Sequence, residues 1–314
     1  MSKLTISTAP HFHSGNTVSA AMRDVLLALS PALVAAIYFF GFGAIKVIFT
    51  CIIVAMFSEF LAQKIRGQAI TLNDYSAVVT GLLLAFCLPA GLPCWMAAIG
   101  ALIAIIVGKQ LFGGLGNNLF NPALVGRAVL LASWPAAMTK WIKPFDGLTT
   151  ATPLGMLKAG HSDLPSLKQL FIGNVGGSLG ETCALALLLG AVYLFYKGQI
   201  NWRIPFSYLG TVFVLTAIWG WTQGNSWEYP IYHLLSGGLI LGAFFMATDW
   251  VTSPITPKGK LVFGIGCGLL TVLIRLQGGY PEGVCYSILL MNMATPLIDR
   301  YTKRRVFGGV GRSA

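Results

Sequence analysis

Apolar runs bounded by charged residues or Gly/Pro clusters recur along the whole chain and limit its fold more than any motif does. Ten are found, near 24–41, 44–62, 76–92, 94–112 and 119–133, then 178–197, 203–222, 231–248, 260–276 and 281–298. About 20 apolar residues suffice for an α-helix to cross the hydrocarbon core of a bilayer. Lipid offers no partner for backbone polar groups, so a spanning segment must satisfy them internally. The expected fold class is therefore an all-α polytopic membrane protein with about ten transmembrane helices. Composition agrees, because only 10% of the 314 residues are charged, against roughly 25% in soluble domains. The 37 glycines suit close helix packing. Two runs are interrupted, the third by Leu88-Pro89-Ala90-Gly91 at its end and the fifth by Asn121-Pro122 at its start. Such breaks are tolerated where the freed backbone groups face protein or a polar cavity.

Residues 1–23 contain Pro10, His11, His13 and Asn16 and no apolar run, which predicts a polar tail and no cleavable signal peptide. The six cysteines lie in or beside apolar segments without a Cys-x-x-Cys pair. They read as buried thiols, with metal or cluster ligation shared with a partner chain as the alternative. The net charge of +11 raises the question of nucleic acid. With ten spans and the N-terminus inside, fourteen of the 21 basic residues fall on the cytoplasmic side, six fall outside, and Arg127 is left in the membrane. That bias is the positive-inside rule, so the charge reflects topology. The stretch from Arg300 to Arg305 reads as a membrane-proximal anchor, and no nucleic-acid partner is expected. The expected organisation is a cytoplasmic tail 1–23, a five-helix unit 24–133, an outer loop 134–177, a second five-helix unit 178–298 and a basic cytoplasmic tail 299–314.

The two units resemble one another weakly. Ala36-Ile37-Tyr38-Phe39-Phe40 matches Ala191-Val192-Tyr193-Leu194-Phe195, and Thr80–Ala85 matches Gly237–Gly242, at offsets of 155 and 157 residues. A five-span repeat inverts its second copy, the plan of many transport proteins; chance similarity of apolar segments is the alternative. The long connection 134–177 exceeds ordinary loop lengths, and such loops are usually functional or disordered. It carries Asp146-Gly147-Leu148-Thr149-Thr150-Ala151-Thr152-Pro153-Leu154, with Lys140, Lys143 and Lys158 nearby. Basic groups, hydroxyls and glycine N–H groups together could hold a phosphate. A plain Thr-rich turn is the other reading.

The segment Asp146–Leu154 resembles the flavinylation motif of the Rnf and Na⁺-translocating NADH:quinone reductase families. Gly113-Gly114-Leu115-Gly116-Asn117-Asn118-Leu119-Phe120-Asn121-Pro122-Ala123-Leu124 and Phe245-Met246-Ala247-Thr248-Asp249-Trp250-Val251-Thr252-Ser253-Pro254 look like the matching family segments of the two halves. In this order they make the chain similar to the NqrB/RnfD family over nearly its whole length, and the short N-terminal segment favours the Rnf branch. The resemblance implies a urea-transporter-like fold of two inverted five-helix repeats. It implies a membrane electron carrier in a complex that passes electrons between ferredoxin and NAD while moving Na⁺ or H⁺. It also implies FMN esterified by a flavin transferase to Thr152, a riboflavin within the membrane, and the remaining Rnf subunits as partners. Thr150 stands where the motif commonly has Gly, which leaves Thr149 and Thr150 as alternative acceptors.

Within that reading Asn118 and Asn121, three apart, would share a helix face and present amides to a flavin edge, with Asp249 beside Thr248 and Thr252 completing a second flavin site. Helix capping at the broken spans is the competing role. Arg127 is an intramembrane charge and hence a candidate functional residue; snorkelling, or pairing with Glu59 or Asp74, is the alternative. Glu59, Asp74, Asp249 and Asp299 are the few carboxylates that could bind a cation. No P-loop and no dinucleotide-binding glycine motif occur, so neither ATP nor NAD is handled by this chain. The four histidines (11, 13, 161, 233) suggest no haem. A passive channel and a cofactor-free anchor are the competing functions, and flavin content separates them from an electron carrier.

Overall fold

The computed structural model describes residues 17–160, 164–224 and 226–303. Most of the expected N-terminal tail, the tail beyond Lys303 and His161 lie outside the described residues. The described chain is helical apart from one two-stranded ribbon. In the first half run α1 (Val18–Phe40), α2 (Phe42–Ile65), α3 (Ser76–Phe86), α4 (Cys94–Ile106) and α5 (Pro122–Ser133). The connection holds α6 (Pro135–Met138), β1 (Trp141–Ile142), β2 (Thr149–Thr150), α7 (Pro153–Lys158) and α8 (Leu167–Ile172). Then follow α9 (Ala184–Tyr196), α10 (Arg203–Thr222), α11 (Glu228–Leu235), α12 (Leu239–Leu241) continued by a π-helical turn Gly242–Met246, α13 (Pro257–Gln277) and α14 (Val284–Tyr301).

Local sequence explains where these helices begin. Asn121-Pro122, Thr152-Pro153 and Thr256-Pro257 each place a capping side chain before a proline at the first helical position. The cap accepts from an otherwise orphaned N–H, and proline has none to lose there. Between α1 and α2 a single residue, Gly41 at φ +58°, reverses the chain.

Among the described residues, five helices are long and apolar enough to cross a membrane: Val18–Phe40, Phe42–Ile65, Cys94–Phe112, Arg203–Thr222 and Pro257–Gln277. A sixth is a pair, Glu228–Leu235 with Leu239–Met246, bent by 64°. Each of the ten expected runs contains a helix, but α3, α5 and α9 have only 11, 12 and 13 residues. Pro89, Asn121-Pro122 and the turn before Ala184 cut them short. Exposed apolar side chains such as Val34, Phe49 and Phe57 on the long helices, and Leu189 and Val192 on α9, cover the outside. With the core already filled from Leu29 to Ile288, such faces suit lipid, and the chain is a multi-pass membrane protein.

In the first half α2 packs on α3 and α4, and α4 on α5; in the second α10 packs on α11 and α13, and α13 on α14. Two pairs join the halves. Tyr193 near the end of α9 donates to Asp24 near the start of α1 (3.0 Å), as does Gln199 (2.8 Å). At the other end of α1 the Phe39 ring lies by Gly173 and Cys183; α1 and α9 are thus antiparallel. From the cap of α5 onward, Asn121, Leu124 and Arg127 meet Asn292 and Cys285 of α14 and Glu282 just before it, in reverse order, so that pair is antiparallel too.

The α1–α9 joint depends on one small residue. A methyl group on Gly190 would collide with the Ala28 carbonyl, which is backbone and has no room to turn away. Small residues of this kind let membrane helices approach closely. Gly190→Ala is expected to lower the thermal unfolding midpoint of the detergent-solubilised protein, by overpacking of about 1–3 kcal/mol. An unchanged midpoint would show that α1 and α9 can part without loss.

Candidate functional site

The first candidate is the connection between the halves. β1 and β2 pair antiparallel, Trp141 opposite Thr150 and Ile142 opposite Thr149. That ribbon leads straight into Thr152, the N-cap of α7, whose Oγ1 accepts from Gly155 N at 3.1 Å. Three contacts dock α7 on the second half. Leu154 is buried against Gly237, Tyr232 Oη donates to Pro153 O (3.4 Å), and Lys158 Nζ donates to Gly278 O. Thr152 is consequently only 3% exposed. The polar sequence around Thr152 suggests an open hydroxyl; docking of α7 buries the residue instead. Thr149 is exposed and Thr150 half-buried. Of the three nearby lysines, Lys143 pairs with Asp146 at 2.8 Å on the surface and Lys158 is tied to Gly278.

The second candidate is a cavity of about 320 Å³ between the halves, within the range of small-molecule sites. Asn118, Asn121 and Asp249 all line it, together with Phe244, Phe245 and Thr248. Sequence spacing foresees the grouping but not its cause. Residues 117–121 are not helical, so Asn118 and Asn121 share no helix face. They meet because the irregular segment before α5 folds along the cavity. Asn121 is a cap: its Oδ1 accepts from Ala123 N (3.1 Å) and Leu124 N (3.4 Å), and its Nδ2 donates to Met246 O (3.2 Å). Asn118 is different. Its Nδ2 donates to Phe120 O (3.1 Å), while its buried Oδ1 has no partner. A buried unpaired acceptor on a cavity wall calls for a donor from a ligand or water. Asp249 is half-buried and accepts from Thr252 Oγ1 at 3.1 Å. An aromatic wall with an amide acceptor and a carboxylate fits a planar heterocycle bearing N–H and C=O groups.

The charged residues near the membrane interior are paired in ways the sequence does not disclose. Arg127 pairs with Glu282, in the turn just before α14, rather than with Glu59 or Asp74. Glu59 instead binds Lys109, at 2.7 and 2.9 Å. Asp74 caps the turn into α3 through Ser76 N (2.8 Å), and Asp299 accepts from Ile255 N (3.1 Å). Lys109, which the charge count assigns to the cytoplasmic side, is 1% exposed and lines the cavity with Ser76. Its one visible signal is the opposite sign of Glu59 at the end of a neighbouring apolar run. Of the cysteines, Cys51, Cys87, Cys267 and Cys285 are buried, Cys183 is half-buried and Cys94 exposed, and all six are free. No cluster of three His, Cys, Asp or Glu suited to a metal occurs among the described residues.

Residues 5–308 match the model of the NQR2, RnfD, RnfE family. The chain is 51% identical to the D subunit of the proton-translocating ferredoxin:NAD(+) oxidoreductase complex of Clostridium ljungdahlii, over 97% of this chain and 96% of that protein. It is equally 51% identical to the D subunit of the Na(+)-translocating ferredoxin:NAD(+) oxidoreductase complex of Acetobacterium woodii, over 97% and 95%. The D subunit of the ion-translocating oxidoreductase complex of Escherichia coli strain K12 is 39% identical, over 96% and 98%. Two relatives of equal similarity are thus named for different ions, so overall sequence likeness does not carry the choice of ion.

Proposed function

The chain belongs to the NQR2, RnfD, RnfE family, and from that membership we propose that it is the D-type membrane subunit of an Rnf complex. The complex transfers electrons between ferredoxin and NAD and couples that transfer to Na⁺ or H⁺ movement. The observation that carries this reading is identity of 51% over nearly the full length of two such subunits. The other Rnf subunits are its partners, a reading supported by the two relatives, each named as a subunit of such a complex.

Two flavin sites are part of the proposal. Thr152 carries FMN as a phosphoester, made by a dedicated transferase because a threonine hydroxyl is a poor nucleophile without activation. The cavity walled by Asn118, Asn121 and Asp249 takes a second, noncovalent flavin such as riboflavin. A bound flavin supplies one- and two-electron redox chemistry, and the protein supplies orientation and exclusion of water. Asn118 Oδ1 offers the acceptor that a ring N–H would use, while Asn121 fixes the cavity by tying α5 to the π-helical turn. Phe244 and Phe245 give the apolar faces. We further propose two inverted five-helix repeats of urea-transporter-like plan, 24–133 and 178–298, with both termini cytoplasmic and the Thr152 loop outside. The antiparallel α1–α9 and α5–α14 pairs, first with first and last with last, support that arrangement.

Intact-mass measurement tests the covalent site: the chain co-expressed with its transferase is expected to be heavier by one FMN less one water. An unmodified mass would remove the covalent cofactor from the proposal. For the cavity, Asn118→Leu is expected to leave covalent FMN in place and weaken the noncovalent flavin on the order of tenfold or more. Flavin released by acid extraction of the purified complex reads this directly. Undiminished noncovalent flavin in that variant would exclude Asn118 from the site.

A further inference from the structure

We propose that the tip of the β1–β2 ribbon, Phe145 with Leu148, inserts into the interfacial layer of the bilayer and fixes the connection between the halves to the membrane surface. Gly41 is the single residue between two helices that are each long and apolar enough to span, Val18–Phe40 and Phe42–Ile65. A one-residue link between two spans places that turn at a membrane face. Tyr38, Phe39 and Phe42 lie within one helical turn of it, about 5 Å along the axis. They therefore sit at the depth where hydrocarbon meets headgroups. Tyr38 is 70% exposed and Phe42 69%, and tyrosine rings collect at that depth in membrane proteins. Lys46, one turn into α2, holds its ammonium 4.7 Å from the centre of the Phe42 ring. A lysine near a helix end reaches toward headgroups in this way.

The ribbon is built onto the same place. Phe145 N donates to Phe39 O (3.3 Å). The Phe145 ring packs edge-to-face on Tyr38 and Phe39, with centroids 5.5 and 5.6 Å away. Behind the tip, Ile142 lies against Gly91, in the turn between α3 and α4, and Trp141 is buried. The tip itself is not covered: Phe145 is 64% exposed and Leu148 67%. Phe145 is held at φ +64°, in the left-handed region, which a bulky residue seldom adopts. Glycine or asparagine would serve such a turn without strain. Strain of this kind persists where the surroundings impose it, and here the bond to Phe39 and the two rings do so. Water gives no return for two large apolar side chains at a hairpin tip, whereas phenylalanine and leucine gain by burial at the headgroup boundary. Lys143 and Asp146 already pair at 2.8 Å, so the tip carries no net charge into that layer. Lipid is the favoured occupant because the tip continues a lipid-facing surface. Leu27, Val34 and Tyr38 are exposed on one face of α1, and that apolar stripe ends at Phe145.

The test uses the full chain in its complex, with Phe145 replaced by the photoreactive analogue p-benzoylphenylalanine. The replacement keeps an aromatic ring at the tip. The complex is placed in nanodiscs of phosphatidylethanolamine and phosphatidylglycerol, irradiated, and its chains weighed by intact-mass spectrometry. This chain is expected to gain the mass of one phospholipid. The same analogue at Phe49, 65% exposed on α2, gives the reference yield of a span surface, and position 145 should approach it. A cross-link from position 145 to a neighbouring subunit would make the tip a protein contact and overturn the proposal. Absence of any adduct would place the tip in water and overturn it equally. Should the variant at 145 not assemble, the analogue at Leu148 decides by the same outcomes. None of these readouts depends on a bound flavin.

Discussion

Thr152→Ala is expected to abolish the covalent flavin proposed for this chain and stop electron transfer through the complex, while the subunit still folds and inserts. The chemical loss is total, because alanine has no oxygen to esterify. The structural loss is modest. Thr152 Oγ1 caps α7 through Gly155 N, and losing such a cap costs about 1 kcal/mol. Pro153 at the first helical position and the docking of Leu154 and Tyr232 remain. Thr152→Ser keeps both cap and hydroxyl and should retain label. Thr149→Ala and Thr150→Ala should keep it as well. Thr150 is the more sensitive of the two, since its methyl group packs on Gly176. Thr152 is only 3% exposed, so the proposed modification would call for α7 to lift from the second half first. In-gel flavin fluorescence and intact mass of each variant measure the outcome. A fluorescent Thr152→Ala chain would move the attachment elsewhere.

The second large effect concerns stability. Glu282→Leu alone leaves the Arg127 guanidinium without its carboxylate, with 11% of its side chain accessible. Removing one partner of a buried ion pair costs about 3–5 kcal/mol, whereas replacing both with apolar residues is often close to neutral. The double variant Arg127→Leu/Glu282→Leu should therefore unfold near the wild-type temperature, and each single variant well below it. This pair clamps α5 to α14, so the single variants should also reduce recovery of the assembled complex. If the double variant is as damaged as the singles, the pair has a role beyond neutralising itself. Thermal unfolding in detergent, with yield of assembled complex as a second readout, decides the matter.

Particular residues show how far the sequence could be read. The apolar runs located the long helices closely, except that α1 begins at Val18, inside the expected tail 1–23; a bilayer leaves a chain no alternative to internal hydrogen bonding. Asn121-Pro122 was legible as the start of α5, whereas Thr152-Pro153 and Thr256-Pro257, which carry the same cap before a proline, showed themselves as the starts of α7 and α13 only in the structure. Family membership was equally legible, through motifs spread over the whole chain. Asn118, Asn121 and Asp249 line one cavity, and Asn118 and Asn121 reach it through an irregular segment and not a helix face.

Pairing was not legible. Arg127 lies 155 positions from Glu282, and Glu59 lies 50 from Lys109. A charge in an apolar run announces that it needs a partner without saying which, because the choice depends on how distant helices pack. Burial of Thr152 had the same origin. Its sequence neighbourhood reads as a polar surface turn, and only the fit of Leu154 over Gly237 and of Tyr232 against Pro153 turns the hydroxyl inward. What the sequence by itself determined are the properties set by neighbours and by solvent: helices, caps, the membrane and the family. What only the tertiary structure decided are the properties set by close approach between distant segments: which charges neutralise one another, which amide keeps a free acceptor, and which hydroxyl is hidden.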